Sequence, residues 1–481
     1  MTNLVSAFLQ EPPFSFNVLF LPDSAGLEAI SLYPEAMLKR FTDRLLREDV
    51  NMHGFILSCA DRQIANIYWH PFLEGQPHRM YSVSKTMTGI AIGMLVDDGA
   101  LSLDQAICGF FPDLLPPDPP EALMRLNLRD MLRMAACYRK TAYRENIDWN
   151  WTVPFFNSVP DHEPGTVFCY DTGCSQVLAA LVRRISGQEV MEFLDDRLFR
   201  PLGLQDSRFW LRDPSGCCQG GTGLCMSLRD LHRVSLCLLH GGEGLIPRWY
   251  TEEMGKKHID TSLQEKKEEQ YGYGWQCWRI RTGWAMYGMG GQLSVLLPDR
   301  QAVFSTIADT RLDPFGVQRI YDAFFDEIYP FLPDSEPAPP ISLLLPASSL
   351  PDSFQFPDLP ESTWLFPENN PLGLTSVRLT PVFLSFTRGT QTVRLPYARG
   401  ITLETAWPGH ADVPALVSAA RIGPEDLRIR CFAIGNTPCG FDLILSINGP
   451  YLTIKSRCSS DPLTREYDGI ASGILQKGVS F

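Results

Sequence analysis

The chain has 481 residues, 44% hydrophobic and 20% charged, a globular balance that excludes disorder as the dominant state. At roughly 150 residues per domain it holds about three folding units, or one large unit and a smaller one. With 42 Lys+Arg against 55 Asp+Glu the net charge is −13, which repels phosphate backbones and anionic bilayers, and no basic cluster is long enough to reverse this.

In chain order, residues 52–69 read as two apolar strands joined by the polar turn Ala60-Asp61-Arg62, an antiparallel hairpin. A helix follows from Ser82 to about Asp98, stopped by Gly99. Apolar residues at three- and four-residue intervals predict helices at 121–135, 173–188 and 227–240. Strands return at Tyr273–Trp278, Trp284–Tyr287, Leu293–Leu297 and Ala302–Ile307. Strands at both ends with helices between them predict an antiparallel sheet closed by the two terminal segments, with a helical insertion. Between Pro330 and Pro360 there are nine prolines, a composition that holds no regular core element. Beyond it, short alternating runs and the turn signal Asn448-Gly449 predict a small all-β unit, a sandwich or barrel. The organisation expected is therefore a first domain at 1–332, a Pro-rich linker at 333–350 and a β-rich domain at 351–481.

No apolar run approaches the roughly 20 residues of a membrane span. Met1-Thr2-Asn3-Leu4 carries no basic stretch ahead of an apolar core, so no export signal is read. The 13 cysteines lack paired spacing and fit buried free thiols in a reducing compartment, and a cytoplasmic location is expected. The 8 histidines lie apart without an HExxH or Cys/His cluster, and no metal or organic cofactor is implied. The glycines at 220, 221 and 223 lack the Lys-Ser/Thr of a phosphate-binding loop, and no G-x-S-x-G elbow occurs.

Chemistry enters at Tyr81-Ser82-Val83-Ser84-Lys85. Residues three apart share a helical face, so the Lys85 amine can approach the Ser82 hydroxyl. A serine hydroxyl is a weak nucleophile until a neighbouring base takes its proton, and the helix N-terminus favours negative charge developing beside it. Ser84 competes as nucleophile but would need a lysine at 87, where Met87 stands.

The run Met80–Asp113, with Ser82-Val83-Ser84-Lys85-Thr86, Asp98-Gly99-Ala100-Leu101-Ser102-Leu103-Asp104 and Phe111-Pro112, resembles the nucleophile helix of the serine β-lactamase and penicillin-recognising superfamily, in its class C-like branch. The resemblance covers about residues 30–330. It implies an α+β fold, an antiparallel sheet with helices on both faces and a helical subdomain, and hydrolysis through an acyl-enzyme. Ser82 would be the nucleophile, and Tyr170, in the place of the branch's Y-x-N element, would share the proton work with Lys85. Thr172 stands where an asparagine usually donates to the substrate, and Met289-Gly290-Gly291 stands in place of K-T-G or H-x-G. The backbone N–H groups of Ser82 and Gln292 would hold the oxyanion. Met289 cannot pair with a carboxylate, so small-molecule esters or amides without one beside the scissile bond are expected, unless Arg279, Arg281 or another cation reaches in. The alternatives are a D-amino-acid peptidase, amidase or β-lactamase and, from another class, a non-catalytic ligand-binding protein on the same fold.

Overall fold

The computed structural model describes residues 34–60, 62–141, 143, 149–204, 207–332, 341–345, 349–350, 356–359, 361–435, 439–459, 464 and 467–476. The N-terminal residues read for an export signal, Asp61 of the first turn and most of the expected linker lie outside the described residues.

The predicted hairpin is present as β1 (Met52–Cys59) and β2 (Arg62–Trp69), turned through Ala60 at φ +47°. After it come β3 (His78–Arg79), β4 (Phe209–Trp210), β5 (Leu224–Met226) and β6 (Trp278–Arg279). Then follow β7 (Trp284–Gly288), β8 (Gln292–Leu297), β9 (Ala302–Ala308) and β10 (Ile341–Leu345). Among the described residues, five helices of eight or more residues frame them: α1 (Glu35–Arg47), α2 (Val83–Asp97), α3 (Thr172–Ser186), α4 (Leu228–Leu239) and α5 (Gly316–Glu327).

One sheet runs β10-β2-β1-β9-β8-β7-β6, antiparallel throughout except where β10 joins β2. The pleat sends alternate residues of β1 to opposite faces. Phe55 and Leu57 pack with Phe41 of α1 and Phe324 of α5, whereas Ile56 joins the cluster built around α2, α3 and α4. The sheet is therefore covered on both faces, and all eight residues of β1 are buried. Every residue of α2 from Val83 to Leu95 is also buried. A helix apolar all round belongs inside a protein, and here it fixes whatever its N-terminus carries.

Three local expectations differ. The helix at 121–135 is split into Glu121–Arg125 and Leu128–Leu132, because Leu126 is extended and the Asn127 side chain caps the second piece by accepting the Asp130 N–H. The strand at Tyr273–Trp278 shrinks to β6, because Gln276 takes φ +58° and breaks the extension. The Pro-rich stretch contains β10, whose proline-free run Ile341–Leu345 pairs with β2 at the sheet edge, where only one flank needs hydrogen bonds.

The C-terminal part is all β, as expected. Among the described residues, ten strands lie between Ser362 and Leu475 in a single antiparallel sheet with its own core around Trp364, Trp407 and Phe441. The segments Gln391–Pro396 and Thr402–Trp407, consecutive in the chain, form its two edges, so the sheet curls towards a barrel. Asn448 pairs with Tyr451, which places the hairpin loop at Gly449-Pro450, one residue beyond the expected turn, with Gly449 at φ +54°. Asp49 ion-pairs with Arg428 and Arg430 of this sheet and ties it to the first sheet's side of the molecule.

Candidate active site

Ser82 stands at the N-cap of α2, but its hydroxyl makes no capping bond to the first helical turn and is left for other partners. The residue before it, Tyr81, sits at φ +45°, a conformation that costs a non-glycine residue of order 1–3 kcal/mol and is kept only where the surroundings impose it. They do so here. Arg311 donates to the Tyr81 hydroxyl at 3.1 Å, and the Arg79 guanidinium lies 5.0 Å from the centre of the Tyr81 ring. Arg311 is itself held on Asp309 through Nε at 2.7 Å and Nη2 at 3.0 Å.

One turn along α2, Lys85 is 1% exposed, and its amine donates to three oxygens: Ser82 Oγ at 3.1 Å, Thr172 Oγ1 at 3.1 Å and the Gly221 carbonyl at 2.9 Å. A glycine is needed at 221, where a Cβ would come 2.6 Å from Thr172 Cγ2 and 3.0 Å from Lys85 Nζ. Thr172 therefore turns its hydroxyl to Lys85. Ser84, the competing nucleophile, is fully buried and accepts the Leu224 N–H at 3.0 Å.

Tyr170 arrives on the loop before α3, its ring centre 5.0 Å from Lys85 Nζ. The residue is 39% exposed at the cleft, with Ser82 and Trp278 near enough to its hydroxyl to act on its titration. Burial of that hydroxyl pushes its pKa well above the ordinary tyrosine value, and the influence of Ser82 and Trp278 only partly offsets this. The loop is anchored by Asp171, which sequence reading missed although Asp is a preferred N-cap residue. Its carboxylate accepts from Thr141 Oγ1 at 2.7 Å and from the Gly173 N–H at 3.0 Å. Gln276 was also missed: it accepts from Ser175 of α3 at 2.6 Å and donates to the Met131 and Leu132 carbonyls at 3.1 Å each.

These groups open onto a cleft of about 430 Å³ lined by Ser82, Tyr170, Trp278, Tyr287, Met289 and Gly290 among others. Met289 is 45% exposed in the turn between β7 and β8. Gly291 and Gln292 lie behind that turn. A Cβ on Gly291 would meet Ala308 and Ile320 at 3.0 Å, and the buried Gln292 side chain donates to the Met289 and Ala308 carbonyls at 3.0 and 2.9 Å. Arg279 and Arg281 are engaged elsewhere, on the Gly255 carbonyl and on Glu268 with Asp322. The cations of the cleft lining are instead Arg311 and Lys266, neither read from the sequence as a site cation because loops distant along the chain bring them in. Among the described residues no His, Cys, Asp and Glu groups gather as a metal site, and no helix is long and apolar enough to cross a membrane.

Residues 44–323 match the Beta-lactamase family. The chain belongs to that family. The matched segment carries Ser82, Lys85, Tyr170 and Met289, and the C-terminal sheet lies beyond it. Among curated members of similar sequence, the 6-aminohexanoate-dimer hydrolase of Paenarthrobacter ureafaciens is 25% identical over 43% of this chain and 57% of its own length. The lovastatin esterase of Penicillium rubens is 29% identical over 27% of this chain and 38% of its own. The chain thus spans about half the length of the curated relatives it matches, and both are named as hydrolytic enzymes. The solved structure of SurE with D-Leu shares the fold with a TM-score of 0.50 at 16% identity, over 92% of this chain and 99% of that one.

Proposed function

We propose that this protein is a serine hydrolase that cleaves an ester or amide through an acyl-enzyme on Ser82. The observation that carries this reading is the Lys85 amine on the Ser82 hydroxyl at 3.1 Å, with the Tyr170 ring centre 5.0 Å from that amine, where Ser82 and Tyr170 line one cleft. Ser82 Oγ bonds to the substrate's carbonyl carbon as its proton passes to the Lys85–Tyr170 pair. That proton then moves to the leaving alcohol or amine as the scissile bond breaks. Water repeats the sequence on the acyl-enzyme and frees the acid. The tetrahedral oxyanion is held by the N–H of Ser82 and by a backbone N–H of the turn ending at Gln292, and each such donor is worth about 10²–10³ in rate. Gly290 and Gly291, at φ +84° and +96°, let that turn approach the substrate closely, and Thr172 steadies Lys85 beside it.

Residue 289 presents a thioether to the reacting carbonyl, which favours substrates with no carboxylate beside the scissile bond. That the curated relatives are named a dimer hydrolase and an esterase supports an amide or ester as the bond cleaved. A fluorophosphonate probe should add one adduct to the folded protein, and Ser82→Ala should abolish it. Absence of labelling on the folded wild type would overturn the reading in favour of ligand binding without turnover. A panel of nitrophenyl ester, amide and cephalosporin substrates on wild type and Met289→Lys then separates an esterase from a β-lactamase or D-amino-acid amidase.

A further inference from the structure

The cleft holds a cation to which the hydrolase mechanism assigns no part. Lys266 immediately precedes the short 3₁₀ turn Lys267–Glu269, and its ammonium donates to the Tyr287 hydroxyl at 3.0 Å and to Glu269 at 3.2 Å. Burial opposes its charge, but the phenolic oxygen of Tyr287 and the Glu269 carboxylate outweigh that, and its pKa lies above the ordinary lysine value. The side chain is 31% exposed, with the ammonium 5.6 Å from the Tyr287 ring centre. An ammonium has three hydrogens, and these contacts occupy two. Arg311, the other cation of the lining, has Nε and Nη2 on Asp309 and Nη1 on Tyr81, so it serves to hold the backbone before Ser82.

An apolar path joins the nucleophile to this ammonium. Tyr170, which lines the cleft with Ser82, lies 5.3 Å from Trp278 between ring centres, Trp278 lies 6.5 Å from Tyr287, and Lys266 is bonded to the Tyr287 hydroxyl. Met289 lines the same cleft with its thioether. We infer that Lys266 binds a carboxylate of the substrate, set off from the scissile carbonyl by an apolar spacer that lies along Trp278, Tyr287 and Met289. The substrate class is an ester or amide that is neutral at the reacting bond and anionic at its far end. This rests on the acyl-transfer reading above. It supplies from a loop, at a greater distance, the cation that position 289 lacks. Glu269 competes with the substrate for the same ammonium and keeps the site neutral when empty.

The test compares kcat/KM for nitrophenyl hexanoate with that for the mono-nitrophenyl ester of adipic acid, which differs by a terminal carboxylate. Wild type should favour the anionic ester, less so as salt is raised. Lys266→Met should cut that preference about tenfold, as expected for a charge-assisted hydrogen bond in a partly desolvated site. Lys266→Arg should retain it, and Glu269→Gln should raise it. A preference that stays within about twofold in Lys266→Met, or a wild type that favours the neutral ester, overturns the assignment. So does a wild type that the fluorophosphonate labels but that cleaves neither ester. Labelling is read on the same samples: labelling with an unchanged preference removes only the role of Lys266, whereas no labelling removes the acyl-transfer chemistry beneath it.

Discussion

Lys85 Nζ lies 3.1 Å from Ser82 Oγ across the first turn of a helix buried along most of its length, so neither the amine nor the hydroxyl can drift from the other. Tyr170 comes to the same pair from the loop before α3, its ring centre 5.0 Å from the Lys85 amine.

The roles of these two groups separate in rate and in pH. Lys85→Met and Tyr170→Phe should each lower kcat by about 10²–10⁴, the usual worth of a positioned proton-transfer group. Because burial holds the Tyr170 phenol above its ordinary value, the form able to take a proton is the minor one at neutrality and grows as pH rises. Wild-type kcat/KM should therefore climb from about pH 6 to about pH 9, and Tyr170→Phe should flatten that limb. A flat wild-type profile would remove Tyr170 from the proton path.

Gly288 tests how tightly the cleft wall is set against the nucleophile. A Cβ there would stand 2.2 Å from the Met80 carbonyl, backbone that cannot swing aside, two residues before Ser82. Gly288→Ala should cost about 1–3 kcal/mol of stability, as overpacking does, and lower kcat by displacing β7 or the start of α2. Gly109→Ala, where a Cβ meets nothing within 4 Å, should leave the rate unchanged. Thermal melts and ester kinetics on both variants decide it.

Buried histidines set the acid limit of stability. His232, between Ser58 Oγ at 2.7 Å and Ser305 Oγ at 2.9 Å, is lowered by burial from 6.5 to about 3, and His78 to about 4. Between these values and 6.5 the unfolded chain binds the protons and the folded one does not, so stability is full above about pH 6.5 and falls as pH drops. At about 1.4 kcal/mol per pH unit, His78 alone contributes a loss of roughly 3 kcal/mol by pH 4. Denaturant melts at pH 7 and pH 4.5 should show the decline, and His232→Gln should make it shallower. An equal slope in the variant would exclude His232 as a source.

Much of this was legible in the sequence because the signals are local. The hairpin at 52–69 follows from two apolar runs around a polar turn, and α2 from a continuous apolar stretch closed by Gly99. The S-x-x-K spacing puts Ser82 and Lys85 on one helical face whatever the rest of the chain does. Both hairpin and helix depend on interactions within a few residues, and sequence order carries those directly.

Tertiary structure alone decided which distant groups share the cleft. Thr172 turning to Lys85, Arg311 holding Tyr81 at φ +45° and Lys266 reaching Tyr287 all join segments separated in the chain. Arg279 and Arg281, close in sequence to the β7–β8 turn, face away from the cleft because Gly255, Glu268 and Asp322 hold them there. Proximity along the chain does not fix proximity in space once strands reverse and loops return, and a side chain's charge acts only where packing places it.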